Sequence, residues 1–216
     1  MAWNDQPRDS KGRFASKGGI AAVVTAGVVA FGATTGGVGG TAGSLGSGAG
    51  VGKNLAVRKA ESTKAARAGR ADEAWRRLGL RSARETIRGH TDCVRHSFGD
   101  VRRFLIRNPC SSLKRMLFTV GDGKDAMVVS VAWIEFRTRA QAVRFREVID
   151  VHGTGDIAPL AGALAGAAGV RFTGHNYDSR LTRRGLTVAE TEPLAGEFST
   201  EDLETVAEVA ALLPRP

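Results

Sequence analysis

Two cysteines and four histidines are the side chains of this sequence whose chemistry depends most on spacing. Cys93 and Cys110 are too far apart for a thioredoxin-type pair, and no second cysteine pair exists to complete a zinc site. A ten-residue helix between them would span about 15 Å. Five extended residues before it reach about as far, so Cys93 can fold back alongside the helix to meet Cys110. The expectation is a Cys93–Cys110 disulfide in an oxidising compartment, with two unrelated buried thiols in a reducing one as the alternative. His90, His96, His152 and His175 show no metal-ligand spacing, and no Ser lies in a Gly-x-Ser-x-Gly elbow.

The cluster with the most catalytic composition is His175-Asn-Tyr-Asp178. A base, a nucleophile and an orienting group are not all identifiable there, and a strand end entering a turn produces the same residues. Gly153-Thr-Gly-Asp156 follows a predicted helix and lacks the Lys and strand context of a phosphate loop, so it reads as a helix stop. The expectation is a protein without catalytic residues, metal or cofactor.

The elements that carry these side chains divide by charge. With 216 residues, 42% hydrophobic and 25% charged, the chain has ordinary globular fractions. Wholesale disorder, collagen, a disulfide-dense mini-protein and a polytopic membrane protein are excluded. The net charge of +9 is uneven: residues 1–52 contribute +2, residues 53–115 contribute +11, and residues 116–216 contribute −4.

Four parts are expected: a basic, disordered N-terminus (1–17), a Gly-rich segment (18–52), a basic juxtamembrane helical linker (53–90) and an α+β domain (91–216). No charge occurs between Lys17 and Lys53, and a membrane span over about 19–40 is long enough for a bilayer, which needs roughly 20 mainly apolar residues. Small residues recur every fourth position at Gly32, Gly36, Gly40, Ser44, Gly48 and Gly52. On a helix they form one column that lets a second helix approach closely, giving self-association as in glycine zippers. A flexible Gly-rich linker or a membrane hairpin fits the same composition. Arg8, Lys11, Arg13 and Lys17 precede the span, against Lys53 alone within about 15 residues after it, which favours a C-terminal domain outside the cell membrane.

Residues 53–90 contain no Pro and are rich in Ala, Arg and Lys, a helix-permissive composition. Lys53, Arg58, Lys59, Lys64, Arg67 and Arg70 are candidate contacts for anionic lipid or nucleic acid, and Trp75, Leu78 and Leu80 could seat an apolar side at the interface. A solvated connector helix is the plainer alternative.

Beyond Cys93 the pattern is that of a folded domain. Ser97 and Asp100 form an imperfect capping box before a helix carrying Val101, Phe104 and Leu105. Residues 116–120 and 127–136 read as strands joined by Gly121-Asp-Gly-Lys, and Thr138 with Gln141 caps a helix to about Val151. Residues 170–176 and 186–191 are further strand candidates around a polar turn at 178–185, and Ser199 with Asp202 opens a last helix. The order α-ββα-ββα predicts a mostly antiparallel four-stranded sheet with helices on one face.

The stretch Asp92-Cys-Val-Arg-His-Ser-Phe-Gly-Asp-Val-Arg-Arg-Phe-Leu-Ile-Arg-Asn-Pro-Cys110, with Val128-Val-Ser-Val-Ala and Gly153-Thr-Gly, resembles uncharacterised actinobacterial proteins that carry a membrane-anchored α+β domain. Arg8-Asp-Ser-Lys-Gly-Arg-Phe-Ala is similar to openings in the same group. The resemblance implies an architecture and brings no activity with it. Membrane lipid, a second copy and an unidentified protein or envelope component are the expected partners, with nucleic acid bound by residues 53–115 as the rival.

Overall fold

The computed structural model describes residues 52–90, 92–121, 124–160 and 169–216. Two helices come first, α1 (Gly52–Arg67) and α2 (Ala71–Leu78), followed by strand β1 (Ser82–His90) and helix α3 (Gly99–Arg107). Then come β2 (Ser112–Gly121), β3 (Ala126–Glu135), α4 (Arg139–Ile149), β4 (Tyr177–Leu181), β5 (Gly185–Ala195) and α5 (Thr200–Ala210). The class is α+β. All pairings are antiparallel in one five-stranded sheet of order β1-β2-β3-β5-β4.

The expected four strands become five because residues 82–90, read as helical linker, pair along β2 from Ser82 opposite Val120 to His90 opposite Leu113. Their polar composition suits an edge strand, which carries little hydrophobic periodicity. Residues 170–176 form no strand; β4 starts at Tyr177 and runs on to Leu181, into the expected polar turn. The hairpin turn is tighter than that expectation, with Leu181 opposite Leu186 and the Thr182 amide donating to the Gly185 carbonyl at 2.9 Å.

Helices cover both faces of the sheet, which corrects the one-sided arrangement. In β3, Met127, Val129, Val131 and Trp133 pack with Trp75, Leu78, Val206 and Val209 from α2 and α5. The alternate residues Ala132 and Ile134 pack with Val101, Leu105, Phe145 and Ile149 from α3 and α4. A central strand buried on both sides must be apolar almost throughout, and Met127-Val-Val-Ser-Val-Ala-Trp-Ile is.

The linker is therefore part of the core. Ser62, Ala65 and Ala66 of α1 are buried, Ser62 Oγ donates to the Ala74 carbonyl at 2.8 Å, and the Trp75 ring lies 5.5 Å from that of Phe118. Trp75, Leu78 and Leu80 face the sheet, so they do not form an apolar side turned to a membrane interface.

Two of the expected helix starts form as capping boxes, at Thr138 with Gln141 and at Ser199 with Asp202. The third does not. The N-cap of α3 is Phe98, and Ser97 Oγ instead donates to the Val94 carbonyl at 3.1 Å. The loop 153–157 runs against this start, with the Phe98 amide donating to the Asp156 carbonyl at 3.0 Å. A Cβ on Gly155, whose φ is +105°, would lie 2.8 Å from Gly99 Cα, so this crossing requires glycine.

Candidate functional site

Cys93 and Cys110 lie at disulfide distance, their Cα atoms 6.3 Å apart, with Cys93 buried beside α3. The bridge joins the loop before α3 to the segment after it and encloses the helix in a 17-residue closure. Restricting the unfolded chain by a loop of that length contributes about 3 kcal/mol. Urea unfolding of Cys93→Ser, or of the reduced protein, is expected to show a loss of about that size. Equal midpoints for oxidised and reduced protein would contradict it.

The cations expected to contact lipid or nucleic acid do not act as one group. Arg58, Lys64 and Arg67 are exposed on α1, whereas Lys59 pairs with Glu208 of α5. Arg70 Nε lies 2.6 Å from Glu73. Lys53 falls on the first turn of α1 and Gly52 begins that helix. Gly32, Gly36, Gly40, Ser44 and Gly48 lie outside the described residues, as does the expected span.

The sheet separates the members of the His175–Asp178 cluster. Tyr177 points to the α3/α4 side, where its hydroxyl donates to Asp150 Oδ1 at 2.9 Å. Ser179 Oγ donates to the same oxygen at 2.7 Å, and Arg146 Nε bonds Asp150 Oδ2 at 2.9 Å. His175 stacks on His152 with ring centroids 5.1 Å apart. Period-two alternation turns Asp178 to the other face, under α5, where it is fully buried. Burial pushes its carboxyl up to about 7. The Arg180 guanidinium, 2.7 Å away, holds it down in part, and Glu208 pushes it further up.

Beside the stacked histidines is a cleft of about 420 Å³ lined by Phe98, His152, Asp156, Phe172 and Glu190 among others. Glu190 Oε1 accepts from the Gly174 amide, while Glu192 Oε1 accepts from Thr173 Oγ1 at 2.6 Å. Arg115, buried on the same side, donates to the Ala158 carbonyl at 2.6 Å and so ties down residues 158–159. Burial holds its guanidinium below the ordinary range. Thr154 Oγ1 is directed at the Val148 and Val151 carbonyls, at 2.8 and 2.7 Å. The cleft can hold a small polar molecule between carboxylates and aromatic edges.

Sequence reasoning missed Asp150 as the centre of this network. Its signals were the four-residue spacing from Arg146 on α4 and the two-residue spacing of Tyr177 and Ser179 on one strand face. Glu190 and Glu192 also share a face, which reads as charge in an otherwise buried strand. Among the described residues no group of three or more His, Cys, Asp or Glu could hold a metal ion. Among them, too, no helix is long and apolar enough to cross a membrane. No protein-family model matches the chain, and no curated protein or solved structure matches it.

Proposed function

We propose that this chain is a membrane-anchored, non-catalytic protein whose α+β domain lies outside the membrane and binds a protein or cell-envelope component. The observation that carries this reading is the junction at Gly52. A stretch without a single charge, residues 18–52, runs directly into α1, and α1 is packed into the core of the domain. A folded unit attached in this way stays at the surface of whatever membrane receives the apolar stretch. The resemblance to membrane-anchored actinobacterial proteins agrees with it. The Cys93–Cys110 pair supports an oxidising compartment.

Fractionation of cells making the full chain tests the anchor. The protein is expected in the membrane pellet after washing with high salt and with alkaline carbonate. Val28→Asp combined with Val29→Asp should release it, because charge at the centre of a span costs about 2.5–3.5 kcal/mol per residue. Release of the unaltered protein by salt alone would refute the integral anchor. The side is read with a membrane-impermeant thiol reagent, which should leave both cysteines unlabelled in intact cells until reductant is added. Labelling without reductant, seen only after permeabilisation, would place the domain in the cytoplasm. Nucleic-acid binding by the exposed Arg58, Lys64 and Arg67 is the second reading, and it predicts duplex binding that falls steeply with salt.

A further inference from the structure

At the end of the sheet where β2 begins and β3 ends, a groove of about 410 Å³ opens between the β4–β5 turn and the C-terminal tail. Arg180, Arg183, Arg184 and Arg215 line it, together with Thr182 and the single carboxylate Glu135. Arg215 pairs with Glu135 and Arg180 with Asp178. The side chains of Arg183 and Arg184 are exposed and have no ion-pair partner among the described residues.

Nothing in the backbone asks for arginine at these two places. They are the central residues of a two-residue hairpin turn, positions that ordinarily favour Asn or Gly. Thr182 and Gly185 close the turn, the Arg184 carbonyl accepts from the Phe136 amide at 2.8 Å, and Arg139 donates to the Thr182 carbonyl at 3.0 Å, so no bond from the Arg183 or Arg184 side chain is needed to fix it. The adjacent guanidinium groups of Arg183 and Arg184 repel each other, and an anion seated between them offsets that repulsion. Arginine's planar fork suits phosphate oxygens in particular, which it can bind through two parallel hydrogen bonds.

The position of the groove bears on where such an anion comes from. Pro214 lines it, and a Cβ on Gly69, just beyond α1, would meet Pro214 Cγ at 3.4 Å. Toward the other end of α1, the Arg58 guanidinium lies at Gly79, two residues from the Arg81 carbonyl that accepts from Gly121 at the far end of β2. The 16-residue helix therefore leads away from the groove for about 24 Å before it reaches Gly52. Gly52, where the chain enters the domain, thus lies at the end away from the groove.

We propose that this groove is a binding site for a soluble anion carrying adjacent phosphate groups, clamped by Arg183 and Arg184 between the flanking Arg180 and Arg215. The full chain in neutral detergent is titrated calorimetrically with inorganic tripolyphosphate at low ionic strength. Saturable binding is expected, competed by excess inorganic phosphate. Arg183→Ala with Arg184→Ala should weaken it by about tenfold or more, and the double Lys variant by less, because charge remains while the fork is lost. A variant with Arg76→Ala and Arg81→Ala, of equal net charge but on the far side, should bind like the original. An unchanged melting temperature shows that the turn variant is folded. No binding by the unaltered chain, or equal loss in both double variants, would overturn the site. Binding to vesicles containing phosphatidylglycerol with none to tripolyphosphate would overturn it in favour of a lipid headgroup.

Discussion

Trp75→Ala is expected to destabilise the domain by about 3–5 kcal/mol, the range for removing a large aromatic from a packed core. Trp75 is 1% exposed, tilts against Phe118, and fills the space between α2 and the strands that present Met116, Val129 and Val131. Urea unfolding measures the loss, with exposed Arg76→Ala as a neighbour expected to change stability by less than about 0.5 kcal/mol. A Trp75 effect below about 1 kcal/mol would mean that the first two helices are not integral to the fold. Their removal would then leave a stable sheet, as a detachable juxtamembrane linker requires.

The helical hairpin shows where local sequence stops being informative. Residues 53–78 look helical from Ala, Arg and Lys content, and they are helices, but composition does not say what a helix packs on. Only the narrow inner row Ser62, Ala65 and Ala66 reveals close contact, and small residues carry almost no hydrophobic signal. For β1 the difficulty is sharper. Ser82-Ala-Arg-Glu-Thr-Ile-Arg-Gly-His takes its strand conformation from backbone pairing with β2, so its own side chains need show no alternation.

Where side chains carried the information, it was legible. The capping boxes at Thr138 and Ser199 formed because each hydroxyl and each partner at the third helical position bonds locally. The β2–β3 pair followed from β-rich runs and a Gly-rich turn; β2 begins earlier than expected, at Ser112, while β3 (Ala126–Glu135) nearly matches the expected 127–136. The cysteine pairing, expected as a bridge with separate thiols as the alternative, came down to whether the chain doubles back beside α3, and it does. The candidate site fared worse because β4 splits neighbours. His175 and Asp178 are three residues apart in the chain yet serve opposite faces, and a cluster in sequence became two environments separated by the sheet.

That separation gives Asp178 an effect on stability with a defined sign. Its carboxyl stands at about 7 in the folded protein against an ordinary value of 3.8. Between those values the folded state holds a proton that the unfolded state has released, so stability falls as pH rises through this window. At about 1.4 kcal/mol per pH unit the full loss is about 4 kcal/mol, complete just above pH 7 and absent below pH 4. The charged groups around it act in both senses. Arg180 on the same strand favours the carboxylate, Glu208 on α5 opposes it, and Glu208 is itself paired with Lys59 of α1. Asp178→Asn keeps the shape and removes the titration. Between pH 5 and 7 the variant should gain on the original protein by about 1.4 kcal/mol per pH unit and remain the more stable at pH 8. Taking the difference between the two proteins cancels the titration of the exposed carboxylates they share. A difference that stays constant across pH 5–8 would mean that Asp178 is ionised throughout, with Arg180 and not burial in control.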